Sequence, residues 1–319
     1  MQCSDLIDHG RGIRALDAQF ERPRLTAIHF VVQSGRVAII DPGTASAVPR
    51  ILAALAAQGL APDTVDWIIL THIHLDHAGG VGLLAAALPH ARITVHPRGR
   101  RHIVDPSRLW ASTVEVYGEP EAERLYGRLV PVPAERVLET ADGATVSLAG
   151  RTLAFLDTPG HARHHVCVRD GETGHLFTGD TFGLAYTELD AHGRRFIFPT
   201  TSPNQWDPDA HHASIARLAA LAPEAIYVTH FSRVDDVPQL ADDLHRLVDA
   251  HAELGRSLRG AGDGRHAALR AGVERLVLDE AKRQGWAASR ERTLEVFALD
   301  IELNAQGIGA WLDAPSHMS

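Results

Sequence analysis

Lysine is almost missing from this chain: of its 31 basic residues only Lys282 is one, and arginine supplies the rest. A general Ala/Arg bias of the coding sequence accounts for that without any functional demand. Cysteine is as scarce, with Cys3 and Cys167 alone in 319 residues, too few for a disulfide framework. Long apolar runs are absent. Those such as 81–88 fall well short of the roughly 20 residues needed to cross a bilayer. The opening MQCSDLIDHGRGIRAL lacks a basic segment followed by an apolar one, so no secretory signal is expected, and the cytoplasm is the expected location. Positive charge is in deficit, with a formal net charge of −9 and a sequence pI of about 6.1. An acidic surface repels phosphate backbones and anionic lipid. Nucleic acid and membrane surfaces are therefore not expected as partners, and a small-molecule substrate is.

What remains is an ordinary globular balance, 45% hydrophobic and 22% charged, in a chain long enough for a large α/β domain with an appendage. β-Branched runs at 26–32 and 36–40, joined by Gln33-Ser34-Gly35, read as a hairpin closed by Asp41-Pro42-Gly43. An Ala/Leu-rich helix over 46–58 stops at Gly59. DWIIL, at 66–70, reads as a buried strand running into a loop, THIHLDHAGG. A helix over 81–88 and a strand over 92–96 follow, an order that implies helices packed on a sheet. Residues 97–126 look helical but broken. Short strands are expected at 136–139, 144–148, 151–157, 165–168 and 175–178, separated by glycine turns. The stretch 181–207 has no helical pattern, yet it carries Phe182, Tyr186, Phe196, Phe198 and Trp206. It therefore reads as an ordered, pocket-forming loop. A helix over 208–221 and a strand over 225–229 lead to His230. Beyond Pro238 only helical patterns remain, over 238–258, 265–284 and 290–312. The expected division is an α/β domain at 1–237 and a C-terminal helical extension at 238–319. The apolar stripe of its last helix, Leu294, Phe297, Ile301, Ile308 and Leu312, is expected to pack against the other two helices, and the three together to dock on the first domain or on a second subunit, as in a homodimer.

Twenty histidines stand out, and several cluster beside Asp and Gly. His72-Ile73-His74-Leu75-Asp76-His77 follows directly on the buried strand. A strand end supplies a rigid base, and the loop after it lets alternate side chains point inward. His72 and His74 can face one metal ion, and Asp76 and His77 a second. A lone histidine in such a place is usually an ordinary polar residue, but three with an aspartate inside six positions are a ligand set. Three further strand ends carry a matching residue: His161 after DTPG, Asp180 after TG, and His230 after a strand and Thr229.

THIHLDHAGG, DTPGHARHH, FTGDT and VTHF, in this order, resemble the ligand motifs of the metallo-β-lactamase superfamily, over roughly Thr26 to Phe231. The resemblance implies an α/β fold, an αββα sandwich, here with a C-terminal helical extension. It implies that His72, His74 and His161 bind one metal, that Asp76, His77 and His230 bind another, and that Asp180 bridges both. True β-lactamases of the superfamily carry Cys at the Asp180 position or lack the bridging Asp. Asp180 resembles the glyoxalase II, lactonase and phosphodiesterase branches, so antibiotic hydrolysis is not the expectation.

The expected activity is metal-dependent hydrolysis of a small ester, thioester or lactone by a metal-bridging hydroxide. Two divalent ions are expected, zinc first, with iron or manganese also compatible with an all-N/O set. Asp76 and Asp180 are the expected catalytic carboxylates. Tyr186 is a further catalytic candidate as a hydrogen-bond donor, set against a plain role as pocket wall or core. One of His164 and His165 is expected to support the ligands, and Cys167 to be a small core residue. The alternatives are a phosphodiesterase or nuclease on the same site, a mononuclear iron sulfur dioxygenase, and a non-catalytic metal-binding protein. The extension and the 181–207 loop are expected to limit substrate size together.

Overall fold

The computed structural model describes residues 6–191, 193–201, 203 and 205–314. Cys3 lies outside them. The chain forms two compact units: one takes the residues up to Asp157 with His164–Gly179 and Glu224–Arg233, the other Thr158–Arg163, Asp180–Pro223 and the chain from Val234 onward.

Two sheets build the first unit. One holds, in chain order, β1 (Leu6–Asp8), β2 (Ile13–Asp17), β3 (Ala27–Gln33), β4 (Arg36–Ile40), β5 (Val65–Ile69), β6 (Arg92–Val95) and β7 (Val137–Glu139). Its first four strands are antiparallel and its last four parallel. Parallel neighbours need crossover segments. These are α1 (Val48–Ala57), then α2 (Leu75–Ala78) with α3 (Val81–Ala87), then α4 (Arg100–Val104), α5 (Ser107–Tyr117) and α6 (Glu119–Tyr126). The other sheet runs β8 (Thr145–Leu148), β9 (Arg151–Asp157), β10 (Val166–Asp170), β11 (Leu176–Gly179), β12 (Ile226–Val228) and β13 (Ser232–Val234), again in chain order.

Side chains alternate across a strand, and three adjacent pairs show the consequence. Val31, Ile40 and Ile69 pack against Phe155, Val168 and Phe177 of the second sheet. Their neighbours Phe30, Ile39 and Ile68 pack with Ile51 and Leu55 of α1 and Leu84 of α3. Each side chain buried this way contributes roughly 1.5–3 kcal/mol. Both faces of the first sheet are thus covered. That leaves the strand ends and the loops after them as the places where polar chemistry can sit. Cys167 is buried in β10, its thiol 3.6 Å from the Thr178 carbonyl, a small core side chain.

The second unit is helical: α7 (Pro208–Ala220), α8 (Val237–Ser257), α9 (Arg265–Gln284), α10 (Arg290–Val296) and α11 (Ala298–Asp313), together with the 180–207 loop. Pro208 at the first turn and the Asp207 side chain, which accepts from the Ala210 N–H, start α7. The loop contains one short turn of 3₁₀ helix, Thr187–Leu189, and is tied to α11 by polar bonds. Asn304 Oδ1 accepts from the Thr201 backbone N–H at 2.6 Å and from its hydroxyl at 2.9 Å, while Asn304 Nδ2 donates to the Pro199 carbonyl at 3.2 Å. Lys282 is exposed on α9. The division drawn at 237/238 from composition separates segments that this unit holds together.

Five features differ from the sequence expectation. β1 and β2 precede the hairpin. β1 is three residues long and β2 is covered on nearly every residue, so neither alternates visibly. β13 is likewise three residues long. Within THIHLDHAGG, Leu75–Ala78 forms one helical turn, shorter than any period that could reveal it. The expected helix over 290–312 breaks at Phe297. That ring is buried and stacks on Trp286 at 5.6 Å, a tertiary contact with no Gly or Pro to announce it.

Candidate metal centre

In the first unit, the end of β5 delivers the HxHxDH segment to a set of prepared partners. His72 Nε2 lies 2.8 Å from His74 Nδ1. The ring centroids are 4.4 Å apart at 82°, so the two rings meet edge to face. The His72 ring stacks on His165 at 4.8 Å, and His164 meets the His74 ring edge-on at 5.6 Å. Both downstream histidines thus support the pair.

His77 Nδ1 is 2.8 Å from Asp41 Oδ2, and its Nε2 is 3.5 Å from Asp76 Oδ2. His230 Nδ1 is 2.8 Å from the Leu25 carbonyl, and its Nε2 is 3.4 Å from the same Asp76 oxygen. The ligating atoms of Asp76, His77 and His230 all lie within 4.8 Å of one another. In the second unit His161 repeats the arrangement: its Nδ1 is 3.0 Å from the Thr200 carbonyl and its Nε2 3.5 Å from Asp180 Oδ2. In each of the three an oxygen acceptor fixes the proton on Nδ1. The Nε2 lone pair then faces a carboxylate, as in imidazoles that ligate metals. Neutral imidazole and carboxylate donors fit Zn²⁺, and also Fe or Mn. The residues present therefore fit divalent metal.

Asp41 is the residue that sequence reasoning missed. It was visible only as part of a turn, Asp-Pro-Gly. It is fully buried, and besides His77 it accepts from the Thr71 backbone N–H at 2.8 Å, the Thr71 hydroxyl at 2.7 Å and the Thr229 hydroxyl at 3.0 Å. One carboxylate therefore joins the ends of β4, β5 and β12. The turn is also stitched to the motif through the backbone, with Gly43 N–H on the His77 carbonyl and Gly80 N–H on the Gly43 carbonyl. A buried Asp at a strand end was the available signal.

In the second unit Thr200 works twice. Its carbonyl accepts from His161 Nδ1 at 3.0 Å, and its hydroxyl donates to the Asp180 carbonyl at 3.1 Å. His211 on α7 holds the Thr181 carbonyl at 2.8 Å through Nε2 and receives the Trp206 indole N–H at 3.2 Å on Nδ1. Burial keeps this imidazole neutral, with its pKa pushed down to about 3. Gly160, at φ +131°, lies so close to His211 that a Cβ would meet its Cα at 2.3 Å; no side chain fits there. The Tyr186 phenol, offered above as a catalytic donor, is 1% exposed and lies 3.0 Å from both Asp300 carboxylate oxygens. Burial, and next the negative charge of Asp76, push the pKa of Tyr126 up.

The model of the metallo-beta-lactamase superfamily matches residues 22–230, which include every ligand candidate. The chain belongs to the metallo-β-lactamase superfamily. A metallo-beta-lactamase fold-containing protein of Sulfurisphaera tokodaii is 27% identical over 227 residues, covering 69% of this chain and 78% of that protein. A hydroxyacylglutathione hydrolase of Cupriavidus taiwanensis is 37% identical over 198 residues, covering 60% of this chain and 58% of the hydrolase. The chain thus spans a little over half the length of the hydroxyacylglutathione hydrolases it resembles. A metallo-beta-lactamase family protein of Thermus thermophilus superposes with a TM-score of 0.60 at 26% identity, covering 79% of this chain and 83% of that one. The α/β metallo-β-lactamase fold follows from this membership. Among the described residues no helix is long and apolar enough to cross a membrane.

Proposed function

We propose that this superfamily member hydrolyses a small thioester, with simple esters and lactones as related substrates, at a pair of divalent metal ions, zinc by preference. His72, His74 and His161 would hold one ion, Asp76, His77 and His230 the other, with Asp180 shared. The observation that carries this is the common pose of His77, His230 and His161: Nδ1 on an oxygen acceptor and Nε2 turned to Asp76 or Asp180. Chain continuity supports the seven-residue set, since Asp180 directly follows Gly179 at the end of β11 and His161 precedes His164 by three residues. The hydroxyacylglutathione hydrolases, named for a thioester substrate, support the choice of acyl group.

When bound, the metals supply Lewis acidity, which acidifies water and polarises a carbonyl. The chain's residues do the rest. The carboxylates of Asp76 and Asp180 take up the proton released as water adds to the acyl carbon; the C–S or C–O bond then breaks, and the proton passes to the leaving group. Asp41, Leu25 and Thr200 keep three imidazoles from turning, which spares that reorganisation during the reaction. The test is metal analysis followed by kinetics with a thioester, a p-nitrophenyl ester, a lactone and bis-p-nitrophenyl phosphate. About two metal ions per chain and fastest turnover of the thioester are expected. A single tightly held iron, or turnover of the phosphodiester alone, would overturn the reading.

A further inference from the structure

Two histidines of the second unit stand together outside the seven ligand candidates. His212 on α7 and His245 on α8 have their rings stacked, 11° from parallel with centroids 4.9 Å apart, and their Nδ1 atoms are 2.6 Å from each other. Asp249 Oδ1 lies 3.0 Å from His212 Nε2. An ionised carboxylate only accepts, so it keeps the His212 proton on Nε2 and leaves the Nδ1 lone pair facing His245. This is the pose of His77 beside Asp41 with the ring turned end for end. In the neutral pair a single proton, on His245 Nδ1, occupies the space between the two nitrogens. A second proton there would set N–H against N–H. Burial, and next the charge of His212, accordingly hold the pKa of His245 below the usual imidazole value. Both rings are half-buried and Asp249 is exposed, so the pair can be reached from solvent. Asp242 and Asp249, three residues before and four after His245, share its face of α8, and both favour positive charge at its ring. The neighbouring His211 is no competitor, since the Trp206 indole and the Thr181 carbonyl engage both of its nitrogens.

We propose that His212 and His245 form an accessory site for one borderline divalent transition-metal ion, Zn²⁺ or Cu²⁺, held through their two Nδ1 atoms with water completing its coordination. Imidazole nitrogen suits such ions, whereas Mg²⁺ and Ca²⁺ prefer oxygen. Nitrogen ligands sit about 2.0–2.1 Å from zinc, so two on one ion stand about 3 Å apart. The pair at 2.6 Å has to open by only a few tenths of an ångström, which half-buried rings on two helices permit. The His245 proton moves from Nδ1 to Nε2, and the ion takes its place between the rings. Asp249 orients His212 from behind, as carboxylates do for ligating imidazoles. The bound ion would pin α7 to α8. Since α7 also carries His211, which holds the Thr181 carbonyl beside Asp180, the pin would steady that support as well.

Equilibrium dialysis of the full chain as purified against Cu²⁺, the tightest-binding of these ions, tests this without turnover. Electron paramagnetic resonance of the bound Cu²⁺ identifies its ligands. The wild type is expected to bind one more Cu²⁺ than His212→Ala or His245→Ala, and the additional ion to show coupling to two imidazole nitrogens. Asp249→Asn, which keeps both rings, is expected to bind that ion about tenfold more weakly. Zn²⁺ should raise the melting temperature of the wild type more than that of either histidine variant. The two histidines lie on different helices, so a folding defect in one variant cannot account for the same loss in both. Equal numbers of bound Cu²⁺ in the wild type and both histidine variants would mean adventitious binding elsewhere and overturn the site. An additional ion that showed no imidazole coupling would overturn it too.

Discussion

The two units hold their ligand candidates by different means. In the first, a charged hub does it: Asp41, buried where three strands end, fixes His77 and binds Thr71 and Thr229. In the second the acceptors are neutral and local. Thr200 fixes His161 and the Asp180 backbone, and the next residue, Thr201, is fastened by Asn304 of α11. A hub at strand ends inherits the rigidity of a sheet. A loop fastened to helices is only as rigid as those helices. The C-terminal segment is therefore part of the support of the ligand loop, and Asn304 holds the residues on either side of Thr200.

The comparison can be broken at several points, beginning with the ligands themselves. Asp180→Ala should lower turnover by about three orders of magnitude or more and weaken both metals, whereas His230→Ala should release mainly one. Metal content and kcat measured together check this, and full occupancy in both variants would end the role assignment. Next comes the hub. Asp41→Asn keeps the shape but removes the charge that holds His77, and should weaken metal binding about 10–100-fold. An unchanged metal affinity by chelator competition would mean that the backbone stitching alone positions His77.

Asn304→Ala probes the other side. It strands a buried backbone N–H of Thr201 and the Pro199 carbonyl, at a cost of about 2–3 kcal/mol. Urea denaturation should register the loss, and the dissociation of one metal should quicken. If stability fell but metal release did not change, the helices would support the fold and not the site.

Acid should act more gently. Burial holds His211 down to about 3 and His251 to about 4 in the second unit, and His29 to about 3 in the first. A depressed folded pKa contributes stability that is fully present above the unfolded value near 6.5 and drains away as pH falls toward the folded one. The metal-free protein should therefore lose stability steadily as pH drops from about 7 toward about 4.5. Urea denaturation across that range checks this, and a midpoint independent of pH would contradict it. The smallest effect is expected for Tyr186→Phe, about 1–2 kcal/mol of stability from the lost Asp300 bond, with turnover nearly unchanged. A hundredfold fall in kcat with intact stability would instead return Tyr186 to the chemistry.

The ligand candidates were legible because four of them stand within six residues and each of the others follows an apolar strand. Their holders were not. Asp41 is spelled as a turn, and Leu25 and Thr200 act through backbone carbonyls, which no side-chain pattern encodes. The alternating strands of the first sheet could be read because one of each adjacent pair faces the second sheet and the other the helices. The three-residue strands β1 and β13 are too short to alternate. The break at Phe297 coincides with ring packing against Trp286, a residue of the loop between α9 and α10 that no pattern within 290–312 reveals.

Lys282 offers an experimental handle that follows from the near absence of lysine. It is the one side-chain amine in the chain and is exposed on α9 of the second unit. With the α-amine blocked beforehand, a fluorophore coupled through that side chain would report from the helical unit, so its signal could be followed against metal release during a single titration. The order in which helices loosen and ligands let go would then be recorded on one sample, without introducing a cysteine or altering any residue of the centre.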